Sequence, residues 1–236
     1  MAVTAQQLIE RRNGVLRSFV AYIAKSRPHA PIEILEVGSW LGDSAIVWHQ
    51  ALETHAAGRG RITCIDPWLP YEGKAGIAQQ LDNNQNERLA SGEAFETFQR
   101  NIADTGAARQ IDVRRGFSDE ILPTLPKAAF DIVYIDGDHS YLQVRQDLAN
   151  AASLVRDGGL LCGDDLEVLF AECNQALCLK WAELGAEYVR DPRTGLGFHP
   201  GVTLAVWRQF GDDISRWGLT WAMQRQGDDW RKITLD

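Results

Sequence analysis

Five places in this 236-residue chain set side chains able to bind cations, hydroxyls or protons at the ends of apolar, strand-like runs. The first is EVGSWLGDS, where Glu36, Gly38, Ser39, Asp43 and Ser44 surround a glycine loop that opens into a helix. Asp66 closes RITCIDP, and Gly116, Phe117 and Ser118 follow the run IDVRR. Asp136, Asp138 and His139 stand in VYIDGDHSY, and Asp164 and Asp165 in LLCGDDL.

A strand that ends in a glycine turn before a helix is where nucleotide-like ligands meet the carboxyl edge of a sheet. Dinucleotide binding wants GxGxxG, but Trp40 occupies the second glycine position between Gly38 and Gly42. A phosphate loop wants GK[ST], and Gly42 is followed by Asp43. The loop instead carries acid, Glu36 before it and Asp43 after it, which suits a cation. The sulfonium and ammonium groups of S-adenosylmethionine meet that demand. Asp66 is positioned to accept both hydroxyls of a ribose, and Gly116, Phe117 and Ser118 suit an adenine edge. For Asp43, an ordinary acid in a first helical turn is an equal account.

The elements that position these residues alternate between strand-like and helix-period segments, as a parallel sheet with crossover helices requires. A helix over about Ala5 to Lys25 puts Val15, Leu16, Phe19, Val20 and Ile23 on one face. Then come Ile32 to Gly38, a helix from Asp43 to His55, and Arg61 to Pro67. Between Trp68 and Gly92 no period is sustained, and the stretch reads as a functional loop that closes over a ligand. A helix over Gly92 to Thr105, the strand Ile111 to Gly116 and a short helix from Ser118 follow. Next are Phe130 to Gly137, a helix from Ser140 to Val155, and Gly158 to Leu166, the fifth strand. In the tail, Phe170 to Leu184 reads as helix, Asp191 to Gly197 as a turn and Pro200 as the start of a helix, with the last strands from Ile214 onward.

The net charge of −8 disfavours a nucleic-acid partner, whose phosphates need clustered Lys and Arg. No apolar run approaches the roughly 20 residues of a membrane span, and the opening MAVTAQQLIERR lacks the pattern of a signal peptide. A cytoplasmic, small-molecule enzyme without membrane attachment is expected, free to form a homo-oligomer. The four cysteines lack CxxC spacing, and Cys64 and Cys162 sit in apolar runs as reduced core residues.

In combination, ILEVGSWLGDS, CIDPW, RRGFS and DIVYIDGDHSY resemble class I S-adenosylmethionine-dependent methyltransferases in order and spacing, over roughly Leu16 to Leu166. The resemblance implies an α/β Rossmann-like, doubly wound sheet of about seven strands. It would be mostly parallel with an antiparallel last strand, in the order 3-2-1-4-5-7-6. It implies one domain spanning the whole chain, with residues 167–236 elaborating the substrate side. Glu36, Gly38, Asp66 and Ser118 would line the cofactor site, joined by Ser39, Asp43, Ser44, Gly116, Phe117 and Asp136.

In that fold the strands ending in Asp136 and in Asp164 with Asp165 are neighbours, so their ends lie about 5 Å apart. Three converging carboxylates call for a hard divalent cation, Mg²⁺ foremost. IDGDHSY and GDDL are similar to the macrocin and catechol O-methyltransferase types, which use Mg²⁺ to hold neighbouring acceptor oxygens. His139 and the long tail depart from that type. For the proton acceptor, resemblance favours Asp138 and intrinsic pKa favours His139. Alternation along an extended loop turns Asp138 to the side of Asp136 and His139 away. Asp138 is therefore the expected base. A metal-independent N- or O-methyltransferase, a non-catalytic S-adenosylmethionine-binding protein and, less readily, a nicotinamide-dependent reductase stand as alternatives. Trp68, Tyr71, Phe198 and His199 lie in loops able to line an acceptor pocket, although loop aromatics more often pack.

Overall fold

A computed structural model describes residues 4–70 and 83–235. Helix α1 (Ala5–Ser26) starts at a capping box, Thr4 accepting from the Gln7 N–H while the Gln7 side chain accepts from the Thr4 N–H. It buries Leu16, Phe19, Val20 and Ile23, the face its 3.6-residue period lays out. Fully burying each such side chain contributes roughly 1.5 to 3 kcal/mol. Strand β1 (Ile32–Val37), helix α2 (Asp43–Ala56) and strand β2 (Gly60–Asp66) form a parallel βαβ unit.

Helix α3 (Asn83–Ala90) lies inside the stretch that lacks sequence periodicity, so that stretch is not wholly loop. Its composition is too polar to show an apolar face, and among its described side chains Leu89 alone is buried. Residues 71–82, Tyr71 among them, lie outside the described residues. Helix α4 (Glu93–Asp104), strand β3 (Ile111–Arg115), the single turn α5 (Ser118–Ile121) and strand β4 (Phe130–Ile135) follow. Helix α6 (Tyr141–Ala152) ends earlier than its pattern suggests, because Val155 already pairs with Phe130 and opens strand β5 (Val155–Gly163).

The tail holds α7 (Gln175–Glu183), capped by Asn174, the hairpin β6 (Val189–Arg190) and β7 (Gly197–Phe198), and α8 (Pro200–Phe210). Strands β8 (Ser215–Trp217), β9 (Thr220–Gln226) and β10 (Asp229–Arg231) complete it. The main sheet runs β10-β9-β5-β4-β1-β2-β3, with β8 also paired to β9. This is the expected order. Antiparallel β9 takes the place beside β5, and β8 and β10 share the outermost place. Two apolar clusters fill the two faces of the sheet, and the four cysteines are free and buried. Among the described residues no helix is long and apolar enough to cross a membrane.

Candidate functional site

Parallel register brings the strand ends level. Val37 pairs with Ile65 on one side and Ile135 on the other, and Ile135 pairs with Gly163. The residues one step beyond, Gly38, Asp66, Asp136 and Asp164, therefore emerge at one edge. Gly38 has φ +88°, and a Cβ there would stand 2.0 Å from the Asp136 carbonyl oxygen, so the β1 and β4 ends approach only because this residue is glycine. A cavity of about 580 Å³ opens at this edge. Gly38, Asp66, Phe117, Ser118, Asp136, Asp138 and His139 line it, as their strand-end positions anticipate.

Other nominated residues lie elsewhere. Glu36 is fully buried, where Ser39 Oγ donates to Oε2 at 2.8 Å and Trp48 Nε1 to Oε1 at 3.2 Å. Burial pushes its carboxyl up, opposed by Ser44, Ser39, Cys64 and Trp48. Glu36, Ser39 and Ser44 thus brace the loop from beneath instead of facing the cavity. Asp43 is exposed in the first turn of α2, the helix-terminus position of an ordinary acid. Gly116 joins β3 to the cavity wall through its N–H, which donates to the Asp66 carbonyl at 3.1 Å. Trp68 and Phe198 are core residues, Trp68 packing on Phe95 and Phe98.

The acidic edge is divided. Asp164 accepts from Thr220 Oγ1 at 2.9 Å and lines a separate cavity of about 220 Å³ between α1 and the β8–β9 hairpin. Asp165, held at φ +59°, turns the other way and lines the first cavity. Asp136 accepts from Tyr134 Oη at 3.1 Å, with Arg12 3.9 Å away. Among the described residues Asp136, Asp164 and Asp165 do not close into one group of donor atoms, Asp164 being held by Thr220 while Asp165 reaches His139. Burial, reinforced by the neighbouring carboxylates, pushes Asp136 well above the carboxylate range and Asp164 up to about 6. Burial also acts to raise Asp165, but close-lying His139 outweighs it and holds the carboxyl at about 2.

His139 does not turn away from the cavity. Asp138 Oδ1 accepts the Ser140 N–H at 2.7 Å, and this local turn breaks the extended alternation that would have separated the two side chains. His139 Nε2 lies 2.9 Å from Asp165 Oδ2, and Nδ1 lies 3.3 Å from Glu187 Oε1. Burial disfavours its charge, yet these two carboxylates raise its pKa well above the imidazole range.

The sequence reading missed Gln143 and Asp147, which line the cavity from α6. Their i, i+4 spacing on a helix that follows a glycine loop was the available signal. Ser118 Oγ donates to Asp147 Oδ1 at 2.6 Å and Gln143 Nε2 at 3.1 Å, while Oδ2 is buried with no hydrogen-bond partner among the described residues. Burial pushes this carboxyl up to about 6 despite those two donors.

A methyltransferase-domain family model matches residues 35–166 of the chain. The structure of the O-methyltransferase NovP is similar at 20% identity and TM-score 0.64, covering 92% of this chain and 80% of that one. TomG, an O-methyltransferase from Streptomyces achromogenes involved in tomaymycin synthesis and solved with S-adenosylmethionine, shares 20% identity at TM-score 0.52 over 96% and 82% of the two chains. The calicheamicin methyltransferase CalS11 shares 14% identity at TM-score 0.57, again over 96% and 82%. At such identities the likeness is one of fold. No curated protein matches the chain.

Proposed function

Because the chain belongs to the methyltransferase-domain family, we propose that it transfers the methyl group of S-adenosylmethionine to a hydroxyl oxygen of a small molecule in the cytoplasm. The observation that carries this reading is one cavity of about 580 Å³ lined by both a ribose acceptor, Asp66, and a proton acceptor, Asp138. Asp66 holds the ribose, with Phe117 and Ser118 against the adenine. The acceptor oxygen attacks the methyl carbon in line with the sulfonium. The O–CH₃ bond forms as the S–CH₃ bond breaks, its electron pair stays on sulfur as adenosylhomocysteine, and the hydroxyl proton passes to Asp138. Both nitrogens of His139 face carboxylates, so Asp138 is the group turned to the acceptor. NovP and TomG, whose folds it shares, are O-methyltransferases, which supports oxygen over nitrogen. The charge of −8 supports a small neutral or cationic acceptor over nucleic acid. The chain works as one domain, residues 167–236 supplying the acceptor side; the loop expected over 68–92 to close on a ligand lies partly outside the described residues, and its described parts, Leu69, Pro70, Gln85 and Leu89, line the cavity.

Mg²⁺ held by Asp136, Asp164 and Asp165 together does not fit these side chains. Such an ion needs several oxygens around one point, and Asp164 is committed to Thr220 on the far side of the turn. No step above runs through it. The reading is tested by calorimetry with adenosylhomocysteine and by product analysis on sugars and phenols bearing neighbouring hydroxyls. Tight adenosylhomocysteine binding with O-methylated product supports it; absence of adenosylhomocysteine binding overturns it.

A further inference from the structure

Gln143 and Asp147 lie one helical turn apart on α6, and Ser118 opens the single turn α5; all three line the large cavity. Their side chains form a closed set. Ser118 Oγ donates to Asp147 Oδ1 at 2.6 Å, and Gln143 Nε2 donates to that same Oδ1 and to Ser118 Oγ, each at 3.1 Å. Asp147 is 1% exposed, so water hardly competes for these bonds, whereas Gln143 is only half-buried.

This set fixes which way the Gln143 amide faces. A carboxylate only accepts, so the group turned to Asp147 has to be the amide NH₂. With its carboxyl at about 6, Asp147 is mostly carboxylate at neutral pH. Ser118 directs its one hydrogen to Asp147 and therefore also accepts from Gln143. The reversed amide would set its carbonyl against a carboxylate and a hydroxyl lone pair. Oε1 is thus turned away from both. Among the described residues it accepts no hydrogen bond, and it belongs to a side chain that lines the cavity. A carbonyl aimed in this way is a fixed acceptor, and its complement is an N–H of the ligand.

We propose that Gln143 Oε1 accepts from the 6-amino group of the cofactor's adenine, and that Asp147 and Ser118 hold the amide in that orientation. The proposal rests on the S-adenosylmethionine reading, which sets the adenine against Phe117 and Ser118. Gln143 is bonded to Ser118, so it stands at the same end of the cavity. The 6-amino group carries the only N–H donors of the adenine ring in a nucleoside, and a 6-oxo purine places an acceptor there instead. Oxygen would then face oxygen with no hydrogen between them, and the site would reject the oxo base. Gln143 selects the nucleobase, and Asp147 is a positioning residue that acts through it.

The test is calorimetry of the full chain at neutral pH with adenosylhomocysteine and with its 6-oxo counterpart, S-inosylhomocysteine. The parent should bind the amino form about 100-fold more tightly. Gln143→Leu should cut that preference to less than about 10-fold by weakening adenosylhomocysteine alone, and Gln143→Met, which keeps the length of the side chain, should do the same. Asp147→Leu, which frees the amide to turn, should also lower the preference. Asp147→Asn, which keeps an accepting oxygen, should restore it. A role in packing alone would move both ligands together. No preference in the parent, an unchanged preference in both Gln143 variants, or equal loss of the two ligands overturns the proposal and leaves the methyl-transfer reading standing. A parent that binds neither ligand overturns both.

Discussion

The backbone N–H of Trp40 donates to Asp66 Oδ2 at 2.9 Å. The other oxygen accepts the Trp68 N–H at 2.7 Å, and Trp68 Nε1 donates to the Trp40 carbonyl at 2.7 Å. One carboxylate thus ties the loop after β1 to the end of β2. Both tryptophans sit in the left-handed region, at φ +45° and +46°, a conformation that costs on the order of 1 to 2 kcal/mol outside glycine. The hydrogen bonds through Asp66 hold that strained backbone against the cavity.

Asp66 consequently has two jobs, and its replacement should show both. Asp66→Ala orphans two N–H groups and removes the ribose acceptor. Urea unfolding should show a loss of about 1 to 3 kcal/mol, and calorimetry a comparable loss of adenosylhomocysteine affinity. Asp66→Asn, which keeps one acceptor oxygen, should recover part of the stability. Unchanged adenosylhomocysteine binding in Asp66→Ala would remove the ribose role.

Asp147 supplies a pH signature. Its folded pKa, about 6, lies above the ordinary aspartate value of about 3.9, so the folded state holds its proton longer than the unfolded chain does. The stability associated with the protonated carboxyl is fully present below about pH 4 and is lost as pH rises through about 6. Asp147→Asn lacks this loss. The variant should therefore gain stability relative to the parent between pH 4 and pH 6, by roughly 2 to 3 kcal/mol, and hold the gain above pH 6. Denaturant titrations across pH 4 to 7.5 measure the difference; a pH-independent difference would show that Asp147 titrates normally.

The sheet was readable in sequence because β1, β2, β4 and β5 are near-continuous apolar runs ending in glycine or aspartate, the mark of strands buried on both faces. The four positions that follow them, Gly38, Asp66, Asp136 and Asp164, therefore lie at one edge together. Glu36 was not legible as a buried brace because an acid two residues before the glycine of such a loop faces the core as readily as the ligand, and only the donors around it decide. Asp164 and Asp165 are adjacent in sequence, which hides the turn at φ +59° that gives one to Thr220 and the other to His139. His199 carried no spacing signal, since 60 residues separate it from His139 and only the α8 packing at Gly201 joins them.

The segment Trp68 to Gly92 should gain protection when ligands enter. Leu69, Pro70, Gln85 and Leu89 already line the cavity from its described parts, so occupancy gives them new contacts. Hydrogen exchange followed by mass spectrometry should slow across peptides of this segment with adenosylhomocysteine and acceptor bound. Equal exchange in both states would make it an ordinary surface segment.

The base assignment separates Asp138 from His139 by what each side chain is already holding. Asp138 Oδ1 accepts the Ser140 N–H at 2.7 Å, which fixes the carboxylate at the cavity wall. His139 faces Asp165 and Glu187 through its two nitrogens and has none turned to a hydroxyl. Removing a general base typically slows the chemical step by about 100-fold to 10,000-fold. Single-turnover methylation in Asp138→Asn should fall within that range, with adenosylhomocysteine affinity unchanged. His139→Gln, which removes a side chain held between Asp165 and Glu187, should slow the chemical step far less. Near-normal single-turnover rates in Asp138→Asn would transfer the role to another group.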